Sequence, residues 1–109
     1  MEAKTPQDFF EKDLPLKFKP EKSAGIDVVA QININGVEGG NWIVIIRDQK
    51  LQVTKGIHMS PTLTLQMNEN DFMDLVSGRL SAEKAFFTGR VQFRGNTSVA
   101  LKLRDAGFL

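Results

Sequence analysis

Two periodicities alternate along this chain, and the places where one gives way to the other mark its elements. In residues 71–96, Phe72, Leu75 and Val76 fall at i, i+3 and i+4 while Asp71 and Asp74 face away. Ala82, Ala85 and Phe86 repeat that spacing, with Glu83 and Lys84 outside. Two short amphipathic helices follow from this pattern. Gly78 and Gly89 stop them, each where a helix-ending residue adopts positive φ, which glycine does without a Cβ clash. The inner faces present Phe72, Met73, Phe86 and Phe87 and no group that does chemistry, so the segment offers a large apolar surface that something must cover.

Upstream, Thr5-Pro6 with Asp8 is a helix start: a capping hydroxyl, a proline at the first helical position, and an acid at the positive end of the dipole. Phe9, Phe10 and Leu14 form the inner face, and Pro15 is expected to end the helix after about two to three turns. A basic, proline-flanked connector fills residues 16–22. From Gly25 the period becomes two. Ile26, Val28, Ala30, Ile32 and Ile34 share one face, and Asp27, Gln31 and Asn33 the other. Asn35-Gly36 and Gly39-Gly40 bracket a hairpin loop, and residues 42–46, apolar on both faces, read as a central strand. Asp48-Gln49-Lys50 then turns the chain into residues 51–54, after which Leu63, Leu65 and Met67 alternate with Thr62, Thr64 and Gln66. Beyond the two helices, Val91 and Phe93 point inward and Gln92 outward. Asn96-Thr97-Ser98 caps a closing helix with Val99, Leu103 and Ala106 on one side. Polar and apolar faces on most of the strands predict an antiparallel-rich sheet covered on one side, hence an α+β fold in two layers. The helical connection before the last strand is long enough for a crossover, which would make the sheet mixed.

The pattern Asp-Phe-x-x-Leu-x-x-Gly-x-Leu-x-x-x-x-Ala-x-x-x-Gly-x-(aliphatic)-x-(apolar)-x-Gly is met by Asp71, Phe72, Leu75, Gly78, Leu80, Ala85, Gly89, Val91, Phe93 and Gly95. It resembles the sterol carrier protein 2 (nonspecific lipid-transfer) domain. Trp42 in an apolar strand and the run Pro61-Thr62-Leu63-Thr64-Leu65 extend the likeness from Phe9 to Leu103. The resemblance implies a five-stranded, largely antiparallel sheet with helices packed on one face. It further implies an enclosed apolar tunnel for long-chain fatty acids, acyl-CoA or sterol-like lipids. Asn96 departs from it at one turn, where relatives commonly carry an acid. In the family's larger proteins the module is fused to a thiolase or a dehydrogenase; here a stand-alone domain spanning 1–109 is expected.

Charge and composition narrow the partners. Lys and Arg number 14 against 13 for Asp and Glu, a balance that argues against nucleic acid, which demands a basic face. Without cysteine there is no disulfide framework and no thiolate. The longest apolar run, residues 42–46, is far short of the roughly 20 residues that span a bilayer, and Glu2, Lys4, Gln7 and Asp8 interrupt any N-terminal apolar stretch. No secretory signal is expected, the terminal Ala-Gly-Phe-Leu is not a peroxisomal address of the Ser-Lys-Leu kind, and a cytoplasmic location is expected.

The chain has 8 Phe and no Tyr, so its bulky lining carries no hydroxyl in need of a buried partner, and Met59, Met67 and Met73 are expected around the passage from sheet to helices. The candidate ligand-lining residues are Trp42, Val44, Met67, Phe72, Met73, Val76, Phe86, Phe87, Phe93, Leu103 and Phe108, with Phe9 and Phe10 as a wall or gate. Lys17, Lys19 and Lys22 are expected to be a solvated connector, with contact to anionic lipid headgroups or a CoA phosphate, and hence transient membrane contact, as the alternative. Arg90 and Arg94 share the outward face of one strand, either to steer an anionic ligand or, more simply, to pair across strands with Asp27 or another acid. Nothing supports catalysis or a cofactor. His58 is the only histidine and lacks a nucleophile or acid at a recognisable spacing, Ser81 is explained as an N-cap, and no glycine-rich phosphate loop occurs. A non-enzymatic lipid carrier is expected. The alternative is a dimerisation or docking module on the same scaffold, its core filled and no lipid bound.

Overall fold

A computed structural model describes residues 4–105, the side chains of residues 103–105 excepted. The Thr5 cap forms as its sequence implies, with Thr5 Oγ1 accepting the Asp8 N–H at 3.1 Å. Helix α1 (Pro6–Asp8) runs into a π-helical stretch, Phe9–Asp13, and then into α2 (Leu14–Lys17). Pro15 therefore does not end the helix. In the wider π turn the Leu14 N–H donates to the Phe9 carbonyl, and Pro15 falls in the opening turn of α2, where its missing N–H breaks no bond.

Five strands, β1 (Val28–Asn35), β2 (Gly40–Arg47), β3 (Lys50–Lys55), β4 (Leu63–Asn68) and β5 (Val91–Gly95), form one sheet in the order β3-β2-β1-β4-β5. All neighbours are antiparallel except β1 and β4, which run parallel, so the sheet is mixed. Register places the apolar alternation on one face. Ile32 stands between Trp42 on β2 and Leu65 on β4, and Leu65 in turn faces Phe93 on β5. The β2–β3 turn is made by Asp48 and Gln49, both at positive φ (54° and 60°), the twist a two-residue hairpin requires.

Over that face lie the N-terminal helical run, α3 (Glu69–Val76), α4 (Ala82–Phe87) and α5 (Thr97–Asp105). Ser81 caps α4 through Lys84 N–H at 3.1 Å, and Asn96 Oδ1 accepts from Ser98 and Val99 at the start of α5. Gly78 and Gly89, at φ 85° and 74°, end α3 and α4. The core is the layer between, where Phe9, Phe10, Leu14 and Phe72 meet Val28, Ala30, Ile32, Trp42, Val44 and Ile46.

The opposite face of the sheet is not bare. From β3 the chain must reach β4 across β2 and β1, and residues 56–62 make that crossing over Gln31. This side chain alternates outward, yet it is buried. Its amide donates to the carbonyls of Gly56 (2.9 Å) and Trp42 (3.3 Å), and its Oε1 accepts the His58 N–H at 2.7 Å. Met59 belongs to this crossing and is 98% exposed, so it stands apart from Met67 and Met73 instead of joining them beside the helices.

Candidate functional site

Between the sheet and the helices lies a cavity of about 290 Å³. Its floor is Ile32, Leu65, Met67, Val91 and Phe93, contributed by β1, β4 and β5. Its roof is Phe72 and Leu75 from α3, Ala82, Ala85, Phe86 and Phe87 from α4, and Thr97, Ala100 and Leu101 from α5, with Phe9 and Phe10 closing one end. Apart from Glu83 and Thr97 every lining residue among the described residues is apolar. Strand alternation builds the floor and helical periodicity the roof, so the space is where the two patterns converge.

The closed end is an aromatic block. Phe10 stacks on Trp42 at 4.9 Å between centroids and on Phe72 at 5.4 Å, and Phe9 meets Phe10 and Phe72 edge-on. Behind Phe10, between the N-terminal helical run and β2–β3, is a second, more open space of about 490 Å³ against Phe18, Trp42, Leu51 and Val53, with Glu11 and Lys55 at its rim. The Lys55 ammonium sits 5.1 Å from the Trp42 ring and donates to Gln7 Oε1. The buried Trp42 indole N–H has no acceptor among the described residues, a cost of about 1–3 kcal/mol tolerated at the heart of the block.

Of the candidate lining residues, Met67, Phe72, Phe86, Phe87 and Phe93 border the first cavity. Trp42 borders the second. Val44 is fully buried in the core, and Met73 and Val76 pack against it without reaching either space. Leu103 and Phe108 lie outside the described side chains. Phe86 and Phe87 line the cavity from its mouth and are 54% and 83% exposed. Ile32, Leu65 and Val91 were readable as inward by alternation. Glu83, expected outside, lines the space, as do Ala100 and Leu101 of α5.

The charged groups take ordinary roles. Asp27 pairs with Arg47 at 2.8 Å instead of Arg90 or Arg94, with both partners largely exposed, so the pair contributes little to stability. Lys17 lies 5.8 Å from the Phe9 ring, and His58 Nδ1 accepts the Ser60 N–H inside its turn. Among the described residues no group of three or more His, Cys, Asp and Glu side chains is arranged to hold a metal, and no helix is long and apolar enough to cross a membrane.

A mixed five-stranded sheet with helices on one face and an apolar hollow beneath them defines an α+β domain of the sterol carrier type. Residues 11–106 match the SCP-2 sterol transfer family, and the chain belongs to it. It is 32% identical over 92 residues to the mouse (Mus musculus) peroxisomal multifunctional enzyme type 2, covering 76% of this chain and 12% of that protein. A palmitated SCP2L2 from Aedes aegypti, solved by solution NMR, superposes with a TM-score of 0.74 at 25% identity, over 94% of this chain and 91% of that one. The sec-alkylsulfatase Pisa1 from Pseudomonas sp. superposes at 0.80 with 16% identity over 94% of this chain and 16% of the other, a likeness of fold. The chain spans 12% to 20% of the length of curated relatives such as the mouse and Dictyostelium discoideum multifunctional enzymes.

Proposed function

We propose that this chain is a non-enzymatic lipid carrier that takes long-chain fatty acids, fatty acyl-CoA or sterol-like lipids into a tunnel between its sheet and its helices. The observation that carries this reading is the apolar hollow of about 290 Å³ beneath α3, α4 and α5. The space opens at the Phe86 and Phe87 mouth and leaves apolar side chains of sheet and helices uncovered, at about 25 cal/mol per Å² of apolar surface not buried. A buried hydrocarbon recovers about 0.8 kcal/mol per methylene, so occupancy offsets the hollow and needs no directional contact. The palmitated relative from Aedes aegypti supports the same ligand class.

Membrane contact is part of the reading. Residues 80–105 hold Lys84, Arg90, Arg94, Lys102 and Arg104 against Glu83 and Asp105, on a chain whose net charge is only +1, while Arg79 just before them pairs with Asp74. The mouth rings Phe86 and Phe87 belong to this basic part, where each cation near an anionic membrane contributes about 1 kcal/mol. The compartment is read as the cytoplasm; because a relative carries a peroxisomal name, imaging of the tagged protein decides it.

Native mass spectrometry of gently purified protein tests the carrier. Bound fatty acid or acyl-CoA, displaced by a fluorescent fatty acid, is the expected result; an empty protein that takes up no probe overturns it. The exposure of Phe86 and Phe87 favours one competing reading, a dimerisation or docking module whose partner covers those rings. That reading requires an empty protein eluting as a dimer on gel filtration. Turnover of acyl-CoA that persists through stringent purification would overturn the non-enzymatic reading.

A further inference from the structure

The first cavity is small for a long chain. An apolar cavity of about 150 Å³ accepts the six carbons of benzene, so a space of about 290 Å³ accepts roughly twelve carbons. A chain of about sixteen to eighteen carbons overruns it by roughly four to six. The second space lies next to it, and among the described residues Phe10 alone borders both. Its ring is the middle layer of a three-ring stack whose outer members divide between the two sides, Phe72 facing the first space and Trp42 the second. The ring carries no hydrogen-bonding atom, so packing alone holds it in place. Its backbone lies in the π-helical stretch Phe9–Asp13, a local departure from α geometry of the kind that recurs at functional sites.

We propose that the Phe10 ring is a movable partition, and that acyl chains longer than about twelve carbons displace it to reach the space against Phe18, Trp42, Leu51 and Val53. Chain-length preference is then set at this ring and beyond it, with the polar rim of Glu11 and Lys55 marking where the apolar path ends. The inference rests on the carrier reading and adds the route within it.

The test is a titration of saturated fatty acids from about ten to about eighteen carbons against the whole chain and two variants. Each buried methylene strengthens binding by about fourfold, so wild-type affinity rises beyond about twelve carbons. Val53→Trp fills the second space from β3 without hollowing the core. It is expected to lower the ratio of long-chain to short-chain affinity at least tenfold. Phe10→Leu, which thins the partition while keeping an apolar side chain, raises that ratio several-fold. If Val53→Trp weakens all lengths alike, or none, or if wild-type affinity levels off near twelve carbons, the partition is overturned while the carrier stands. If no fatty acid of any length binds, both fall.

Discussion

The chain contains two Phe-Phe pairs on helices over the same face of the same sheet, and they meet opposite fates. Phe9 and Phe10 are 2% and 0% exposed, whereas Phe86 and Phe87 are 54% and 83% exposed. Both pairs hold an edge-to-face geometry, at 5.3 Å and 6.0 Å between centroids, so the difference is not in the dipeptide. On a regular α-helix adjacent side chains diverge by about 100°, so Phe86 and Phe87 of α4 spread across the mouth of the cavity and stay partly in solvent. The π-helical stretch Phe9–Asp13 is wider, narrows that divergence, and sets both of its rings against Phe72 of α3. One end of the layer is sealed by four interlocked rings. The other, over the edge strand β5, is left open, with Ala85 as the one fully buried side chain of α4.

Substitutions at the two pairs break this contrast most directly. Phe9→Ala is expected to lower unfolding free energy by about 3–5 kcal/mol, and Phe87→Ala by no more than about 0.5 kcal/mol, both read from urea midpoints. Equal losses would mean that the mouth is packed as tightly as the block. Next in size is an effect on binding. Phe86→Asp places a charge at the mouth and is expected to weaken fatty-acid probe affinity at least tenfold, about 1.4 kcal/mol, while the protein stays folded. Unchanged affinity in the folded variant would remove α4 from the ligand's path.

The smallest effect compares two caps of equal length, Thr5 to Asp8 N–H and Ser81 to Lys84 N–H, each 3.1 Å. Thr5→Ala is expected to cost about 1 kcal/mol of global stability because its helix belongs to the sealed end. Ser81→Ala should leave the global midpoint nearly unchanged and speed amide exchange only in α4, as an element that opens on its own would. If exchange accelerates through the whole sheet instead, the two ends open together and the contrast is one of exposure only.

What could be read from the residues was local in cause. Strand alternation placed Ile32, Met67 and Phe93 on the inner face, caps and stops at Thr5, Ser81, Gly78 and Gly89 delimited helices, and the pattern from Asp71 to Gly95 carried the family. What escaped depends on contacts between distant segments. Pro15 looked like a terminator because a π turn two residues upstream has no sequence mark. Gln31 looked solvent-facing because the path of residues 56–62 is set by strand order, and that same path carries Met59 away from the helices. Phe86 and Phe87 do line the cavity, but their exposure escaped because the helical pattern records which side is apolar, not how much of it is covered. Val44, Met73 and Val76 share the apolar character of the cavity residues, and strand register for the first and helical phase for the other two separate core from lining.

Trp42 is the sole tryptophan of a chain without tyrosine. Its indole lies against the Phe10 ring, with a lysine ammonium over its face. The protein therefore carries one intrinsic emitter, seated at the wall between its two hollows. Any event that shifts that wall changes the light it gives off, so the progress of a hydrocarbon chain through the interior can be followed in real time without attaching a dye.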